Sequence, residues 1–290
     1  MTIEAERGPQ ELWVPPGHFY SPLPDPQELS TRRADIFFAC PRSFEGIDTN
    51  DEAQLQLIHH FRTYYGEEDL NARMTPGKRY YSENEYFTYS DAFFLYCFLR
   101  HFRPSRVVEV GSGFSSALML DVDAALLGGQ VDFRFIDPNP QRLLELLTAE
   151  DLERVTVDNR QVQNVELDVF EALGPRDFLF IDSSHVSKTG SDLNDLLFRI
   201  LPCLSDGVLI HFHDVPYPFE YPKQWVLEGR AWNEVYLVRA FLQYNHTFRM
   251  LFHPSFLVAK NKDLARRWLP KCIDPHVSSS LWLERVGGDS

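Results

Sequence analysis

From residue 106 onward, short apolar runs alternate along the chain with segments whose apolar residues recur at helical spacing. The apolar runs predict strands at 106–110, 131–136, 154–157, 177–182 and 207–213. The segments between them predict helices at 115–127, 141–148, 167–172 and 191–201. Strands and helices that alternate in this way form a parallel sheet with helices on both faces.

The pattern continues with a predicted helix at 231–244 and predicted strands near 248–252 and 256–259. These elements complete the predicted fold class, which is a doubly wound, mostly parallel, Rossmann-like α/β sheet of seven strands. We expect the domain built on this sheet to span residues 105–260 and residues 261–290 to form a C-terminal extension.

Residues 1–104 are predicted to form an arm and a helical cap. Residues 1–50 are rich in proline and aromatic residues, and no helix is expected there. Helices are expected at 51–65 and 91–102, the second ending before Pro104. We expect the arm to be docked, either as rigid packing or with His18 or Tyr20 in a substrate pocket.

The net charge and the cysteines narrow the function classes. A formal charge of −14 argues against a nucleic-acid partner. No apolar run approaches the length of a membrane span, and the N-terminus does not resemble a signal peptide. No cysteine pair has metal-ligand or redox spacing, so we expect reduced thiols and a cytoplasmic location. The sequence leaves the oligomeric state open, and a homo-oligomer is one possibility. The cysteines are Cys40, Cys97, Cys203 and Cys272.

The first predicted strand of the sheet ends in a glycine turn. Gly111 and Gly113 allow the backbone to turn tightly and to approach a ligand, and Ser112 and Ser115 lie where the next helix begins. Because Ser116 stands where a third glycine would be, the turn is not the full fingerprint of nicotinamide-dependent enzymes.

Polar residues follow the other strands of the predicted sheet as well. In open α/β sheets, ligands bind outside the carboxyl ends of the strands, so these residues are candidates for a shared site. They are Asp137 after the second strand, Gln163 and Asn164 after the third, Asp182 and His185 after the fourth, and His211, His213 and Asp214 at the end of the fifth. The carboxylate of Asp137 is suited to accept hydrogen bonds from two ribose hydroxyls.

Three motifs together resemble those of class I S-adenosylmethionine (SAM)-dependent methyltransferases. They are residues 109–116 (EVGSGFSS), 135–140 (FIDPNP) and 181–185 (IDSSH). More narrowly, residues 15–22, 182–194, 211–222 and 228–234 resemble a bacterial branch of small-molecule methyltransferases. The likeness runs from about residue 15 to about residue 258.

The resemblance implies roles for individual residues toward SAM. Gly111 and Gly113, with Ser112 and Ser115, would hold the methionine part of the cofactor. Glu109 would support the turn and the amino group, Asp137 would bind the ribose, and Gln163 or Asn164 would bind the adenine. Tyr81 and Asn84 would cover the cofactor, and Asp182 would contact it.

Methyl transfer to a hydroxyl also needs a way to remove the hydroxyl proton. A histidine, His185, His211 or His213, would act as a general base beside Asp182. Alternatively, a divalent cation such as magnesium, held by Asp182, His213 and Asp214, would lower the pKa of the hydroxyl.

The expected reaction is O-methylation of a small-molecule acceptor, with a sugar or natural-product hydroxyl as the candidate. The aromatic loop 217–225 would serve as a lid over the acceptor, or would be a packed surface loop. Two alternatives remain: an NAD(P)-dependent oxidoreductase and a non-catalytic nucleotide-binding module. The missing third glycine and the absence of a Tyr-x-x-x-Lys pair argue against the oxidoreductase.

Overall fold

The computed structural model describes residues 12–37, 41, 43–273 and 277–287. Within them two compact units are distinguished. The first comprises the described part of residues 1–39 together with 221–231, and the second comprises the described part of 40–220 and 232–290. All strands of the sheet belong to the second unit.

Seven strands in the described part of the chain form one sheet with the order β3-β2-β1-β4-β5-β7-β6. Strands β1 to β5 pair in parallel, and β7 is antiparallel to both of its neighbours. The strands are β1 Arg106–Val110, β2 Asp132–Ile136, β3 Thr156–Asp158, β4 Phe178–Ile181, β5 Leu209–Phe212, β6 Phe248–Phe252 and β7 Leu281–Arg285. The predicted α/β fold class is therefore confirmed.

Except for α7 (Ala149–Arg154) and α13 (Pro254–Trp268), which were not predicted, the helices of the sheet-containing unit lie close to the predicted positions. They are α3 Asp51–Phe61, α4 Tyr89–Phe102, α5 Phe114–Val122, α6 Gln141–Leu146, α7 Ala149–Arg154, α8 Asp168–Glu171, α9 Asp192–Asp195, α10 Leu201–Cys203, α12 Glu234–Leu242 and α13 Pro254–Trp268. Two π-helical turns, Asp123–Leu127 and Leu196–Ile200, extend α5 and join α9 to α10.

The first unit contains three short helices, α1 Pro26–Thr31, α2 Arg33–Phe37 and α11 Lys223–Leu227. The expectation of no helix in residues 1–50 was wrong for α1 and α2. Asp25 caps α1 by accepting a hydrogen bond from the Gln27 backbone N–H at 2.8 Å, and Pro26 occupies the first turn, where its missing N–H costs nothing. Docking of the arm stays a prediction.

The last strand prediction was also wrong in its position. Residues 256–259 lie inside α13, which begins at Pro254, and the seventh strand is β7. Strand β7 lies between β5 and β6, so the segment predicted as a C-terminal extension supplies part of the sheet.

An aromatic core joins α4 to the sheet. Phe98 of α4 stacks on Trp282 of β7 with ring centroids 3.8 Å apart, and Trp282 also meets Phe178 of β4 edge-on. All three rings are fully buried, and such contacts fix the helix against the sheet.

The cysteines and the helix lengths add two observations. Cys97, Cys203 and Cys272 are free thiols, and Cys40 lies outside the described residues. None of the helices in the described ranges is long and apolar enough to cross a membrane.

Candidate active site

The glycine turn lies where β1 and β4 are neighbours and the strand order changes direction. Gly111 has a φ of +84°, and a Cβ on it would lie 1.8 Å from the backbone oxygen of Asp182. Its N–H donates to the carbonyl of Ile136 at 2.9 Å. Since any side chain would collide with the β4 backbone, only glycine fits between the ends of these strands.

Glu109 supports this turn from inside the protein. It is fully buried, and its carboxylate accepts hydrogen bonds from the hydroxyls of Ser115 and Ser116. Burial raises the pKa of Glu109 to about 8, although the two serine hydrogen bonds oppose the shift. Glu109 therefore contacts the start of the helix that follows the turn, and the roles predicted for Glu109 and Ser115 toward the cofactor stay predictions.

Asp137 follows β2 and holds the outer side of the turn. One of its carboxylate oxygens accepts hydrogen bonds from the backbone N–H and the hydroxyl of Ser112, both at 3.0 Å. The other accepts from the backbone N–H of Asn139 at 2.8 Å. These contacts fix a half-buried carboxylate at the end of β2, where the ribose role was predicted.

A cavity of about 430 Å³ opens beside these residues. Among the predicted site residues, its lining includes Gly111, Asp137, Gln163 and Asp182. The size is in the range of small-molecule sites. The other lining residues were given no individual role from the sequence, although most lie in the motifs that resemble those of methyltransferases. They are Val110, Ile136, Pro138, Asn139, Gln161, Val162, Ser183, Ser184, Lys188, Gly190, Ser191 and Asp192.

Segment 188–192 lies within the motif 182–194, but its residues were given no individual role, although the sequence indicates a helix start there. Ser191 caps α9 by accepting a hydrogen bond from the Asn194 backbone N–H, and Asp192 accepts hydrogen bonds from the N–H and hydroxyl of Ser184. A Gly-Ser-Asp sequence before an apolar run is typical of a helix start, and a helix that follows β4 must begin at this edge of the sheet.

Gln163 offers an acceptor that suits a nucleoside base. Its Nε2 donates to the carbonyl of Gly190 at 2.9 Å, which fixes the side chain across the cavity. Its Oε1 is buried and has no hydrogen-bond partner among the described residues. Buried acceptors are normally paired, so this atom fits a ligand that carries an N–H group, such as adenine. This acceptor and the close backbone approach at Gly111 together make the cavity suitable for SAM.

Sequence comparison places the same region in a family. The family profile of the methyltransferase domain matches residues 108–215, from β1 to just beyond β5. An uncharacterized protein of Archaeoglobus fulgidus is 34% identical over 164 residues, which cover 55% of this chain and 73% of that protein. The chain belongs to the class I SAM-dependent methyltransferases. The alternatives of an oxidoreductase and a non-catalytic module are thereby set aside.

Similar solved structures share little sequence with this methyltransferase. An SAH-bound methyltransferase of Podospora anserina is 14% identical, with 91% of this chain and 98% of that chain covered and a TM-score of 0.44. A CmcI structure with Mg and SAM is 17% identical, with 89% and 96% covered and a TM-score of 0.42. An O-methyltransferase candidate from Klebsiella pneumoniae is 17% identical, with 84% and 92% covered and a TM-score of 0.39.

Several residues predicted to touch the cofactor lie elsewhere around the methyltransferase site. Tyr81 packs edge-on against Phe114 with ring centroids 5.2 Å apart. The Asn84 side chain donates to the carbonyls of Tyr81 and Phe87 at 2.7 and 2.9 Å, so it shapes its own loop. Asn164 is exposed, and the residues that line the cavity do not include it. The cofactor roles of these residues remain predictions.

Arg142 is a further residue that the sequence analysis missed. Its side chain packs over Gly113, where an added Cβ would lie 3.0 Å from Arg142 Cδ. Its guanidinium lies 3.6 Å from the ring centroid of Tyr86. Burial acts to raise the pKa of Asp182, but His213, His185 and Arg142 outweigh burial and hold that pKa below its usual range. Asp182 therefore stays ionised, and its side chain is 34% exposed.

His185 is a buried imidazolium held between two carboxylates. Its Nδ1 donates to Glu234 Oε2 at 2.7 Å, and its Nε2 lies 3.4 Å from Asp182 Oδ1. Burial acts to lower the pKa of His185, but Asp182 and Glu234 outweigh burial and raise it to about 10. A histidine that keeps its proton at neutral pH is a poor general base. The geometry therefore does not favour His185 as the base.

His211 lies within the sheet rather than at its edge. Its ring stacks on Phe180 with centroids 3.8 Å apart and meets Trp282 at 4.7 Å. Burial lowers the pKa of His211 well below its usual value, and neither ring nitrogen has a hydrogen-bond partner in the described ranges. This neutral ring is part of the core, so the base role predicted for it has no geometric support.

His213 and Asp214 follow β5 beside the end of β4. The backbone N–H of His213 donates to the carbonyl of Ile181 at 2.8 Å, which places His213 next to Asp182. Its Nε2 lies 3.8 Å from Asp214 Oδ1, and its buried Nδ1 has no described hydrogen-bond partner. Burial acts to lower the pKa of His213, but the carboxylates of Asp214, Asp182 and Asp91 outweigh burial and raise this pKa. Burial also raises the pKa of Asp214.

The predicted metal ligands do not come together in a metal-binding arrangement. Within residues 12–37, 41, 43–273 and 277–287, no group of three or more His, Cys, Asp or Glu side chains is placed to hold a metal ion. Asp182 is engaged by His185, and His213 is paired with Asp214 instead. The predicted set of Asp182, His213 and Asp214 therefore does not fit a metal in this structure.

The predicted lid crosses the boundary between the two units. On the sheet-containing side, Phe219 is buried and Tyr217 packs against Phe44 and Phe256 at 5.7 and 5.2 Å. On the other side, the Arg230 guanidinium lies 4.8 Å from the ring centroid of Trp225. Part of the loop is therefore packed, and the lid role stays a prediction, as does the acceptor role of His18 and Tyr20.

Proposed function

We propose that this methyltransferase methylates a hydroxyl of a small-molecule acceptor at the edge formed by the ends of β4 and β5. The observation that carries this proposal is the placement of Asp182 and His213 side by side on neighbouring strands, with Asp182 in the cavity wall. An ionised carboxylate and an imidazole next to a cofactor cavity are suited to orienting a hydroxyl and removing its proton.

The residues that would hold SAM divide the cavity into parts. Gly111 gives the methionine part close access to the backbone, Asp137 accepts from the ribose hydroxyls, and Gln163 accepts from the adenine amine. Bound SAM supplies an electrophilic methyl group on a sulfonium. The chain's own contribution is then mainly alignment of the acceptor, which can be worth up to ~7–11 kcal/mol.

His213 is the candidate base, and Asp182 is the candidate group that orients the acceptor. His185 is held as an imidazolium and His211 is buried in the sheet, so neither accepts a proton readily. Carboxylates also raise the pKa of His213, so it acts as a base only in its neutral form, but it has a ring nitrogen without a partner among the described residues and lies beside Asp182. The proposal includes no metal, because the described carboxylates and imidazoles are paired with one another.

A methyl-transfer assay with labelled SAM tests the reaction. The panel holds matched acceptors that differ only in carrying a hydroxyl, an amine or a thiol, and each reaction is repeated after exhaustive chelation. We expect label only on hydroxyl acceptors, equal rates after chelation, and loss of transfer in His213→Asn and Asp182→Asn. Transfer only to amines or thiols, or loss of transfer on chelation, would contradict the proposal.

Binding of the cofactor is tested separately by calorimetry with SAH. Asp137→Asn should weaken binding because the ribose hydroxyls lose a carboxylate acceptor, an effect of about 1.5–3 kcal/mol for a charged hydrogen bond. Asp132→Asn is the matched control, since Asp132 lies at the opposite end of the same strand and its side chain is 71% exposed. Equal affinities for both variants would refute the ribose role.

A further inference from the structure

A second carboxylate, Glu234, reaches the active-site edge through His185. Glu234 is the first residue of α12 and is 1% exposed, and its Oε2 accepts from His185 Nδ1 at 2.7 Å. The opposite ring nitrogen of His185 faces Asp182, which lines the cavity. A continuous buried connection therefore runs from the start of α12 to the cavity wall.

Hydrogen bonds of the backbone and of one side-chain amide already hold residues 185–187 against the start of α12. The carbonyl of His185 accepts from the N–H groups of Asn233 and Glu234 at 3.0 and 3.2 Å. The Asn233 side chain accepts from the Ser187 N–H at 2.6 Å and donates to the Ser187 carbonyl at 3.1 Å. Four hydrogen bonds thus hold the two elements together without the Glu234 carboxylate.

The carboxylate of Glu234 is costly for the fold. Taking an ion out of water costs several kcal/mol unless its partners compensate. Only Oε2 has a partner here, because Oε1 is buried and has no hydrogen-bond partner among the described residues. A glutamine would make a similar contact without the charge, so the retained charge points to a role beyond docking.

The contacts of His185 with Glu234 and Asp182 indicate this role. With a carboxylate on each side, both ring nitrogens act as donors, so the ring cannot turn without losing one contact. The ring is also covered by Trp232, with centroids 4.3 Å apart. A ring fixed in this way holds the Oδ1 atom of Asp182 in place, and Asp182 is a residue of the cavity wall.

We propose that Glu234 is a positioning residue for methyl transfer, which acts by holding His185 against Asp182. The inference rests on the proposed function in that Asp182 orients the acceptor. Glu234 itself does not line the cavity, and it acts only through His185.

The test compares Glu234→Gln with wild type in SAH binding, kcat, KM and the ring ¹⁵N signals of labelled His185. We expect SAH affinity within twofold of wild type, kcat at least tenfold lower, and a shifted Nδ1 signal of His185, because Nδ1 then faces a neutral amide instead of a carboxylate. In a His185→Gln background, Glu234→Gln should lower kcat no further, because the two residues act as one unit. Glu150→Gln, an exposed acid in the first turn of α7, is the matched control and should behave as wild type.

Three outcomes would overturn the proposal: wild-type kcat in Glu234→Gln, a loss of SAH affinity equal to the loss of kcat, or unchanged His185 ring signals. If Glu234→Gln does not fold, His185→Gln replaces it, and a wild-type kcat in that variant overturns the proposal equally. The ring signals need no acceptor. If they change as expected while no acceptor is methylated, the proposed function fails and the positioning contact stands.

Discussion

At Gly111, one absent Cβ decides the shape of the cofactor turn. Replacement by alanine would bring the Cβ to 1.8 Å from the Asp182 carbonyl, and that oxygen belongs to the backbone at the end of β4. The strands must separate to relieve this contact. The turn is therefore a packing constraint between two strands as well as a cofactor contact.

We predict that Gly111→Ala lowers SAH affinity by at least about tenfold, equivalent to ~1.4 kcal/mol, and lowers the free energy of unfolding. Calorimetry and urea titration measure the two effects. Gly77→Ala is the control, because Gly77 also has a positive φ of +80° but no described atom within 4 Å of an added Cβ. The free energy of unfolding of Gly77→Ala should fall only by the ~1–2 kcal/mol that a left-handed backbone costs alanine, and SAH binding should match wild type. Equal losses in both variants would show that the close approach at Gly111 has no effect.

At the adenine end, the structure favours Gln163 over its neighbour Asn164. We predict that Gln163→Leu weakens SAH binding by about 1–3 kcal/mol, because the base amine then lacks an acceptor. Asn164→Leu removes an amide from the next, exposed position and should leave affinity within twofold of wild type. Calorimetry decides between them, and the reverse order of affinities would assign the adenine contact to Asn164.

Among the elements, the segment before α4 is tied to the sheet helices by a buried arginine. Arg79 pairs with Asp121 of α5 at 2.8 Å and with Asp151 of α7 at 2.5 Å. Both carboxylates are nearly fully buried, whereas Arg79 is 19% exposed. These ion pairs connect the loop that carries Tyr81 to the helix that begins at the cofactor turn.

We predict that Arg79→Met destabilises the protein by roughly 2–4 kcal/mol, because it leaves two buried carboxylates without their cationic partner. Because Arg79 is partly exposed, its loss costs less than the loss of a partner from a fully buried ion pair. Arg73→Met is the control: its pair with Glu83 is largely exposed, and its loss should cost less than ~1 kcal/mol. Urea midpoints that shift equally in the two variants would contradict the buried-pair argument.

The elements that could be predicted from the sequence are those with a strong local pattern. Strands β1, β2, β4 and β5 are short, apolar-rich segments followed by polar residues, so the sheet edge could be named in advance. Four residues of the cavity lining could be named with it, namely Gly111, Asp137, Gln163 and Asp182. Residues 256–259 are a short apolar run too, and such a run does not distinguish a strand from a buried helix. In the structure this run lies in a helix that begins at Pro254.

The parts of the site that could not be predicted depend on contacts between distant segments. Glu234 meets His185 because α12 begins beside the end of β4, and nothing local to either residue indicates this. The charge state of His185 depends on that contact, so the sequence left three histidines as equal candidates for the base. Only burial and pairing separate them.

At the scale of the whole molecule, Glu109 links the active-site turn to the pH dependence of stability. The folded protein holds the pKa of Glu109 at about 8, above the ordinary glutamate value of 4.5, chiefly through burial. Between these values the folded state binds more protons at this residue than the unfolded state does. Stability from this residue therefore falls as pH rises from about 4.5 and is fully lost above about 8.

We predict that the thermal midpoint of wild type falls between pH 5 and pH 9 by more than that of Glu109→Gln, because glutamine does not ionise. The difference between the two declines should exceed ~2 °C, since 1 kcal/mol shifts the midpoint of a domain of this size by about that amount. Glu145→Gln, which removes an exposed carboxylate from α6, should keep the wild-type decline. Scanning calorimetry at fixed ionic strength measures all three proteins. Parallel declines in wild type and Glu109→Gln would mean that Glu109 is already ionised at pH 5 in the folded protein, with the turn stabilising the charge rather than excluding it.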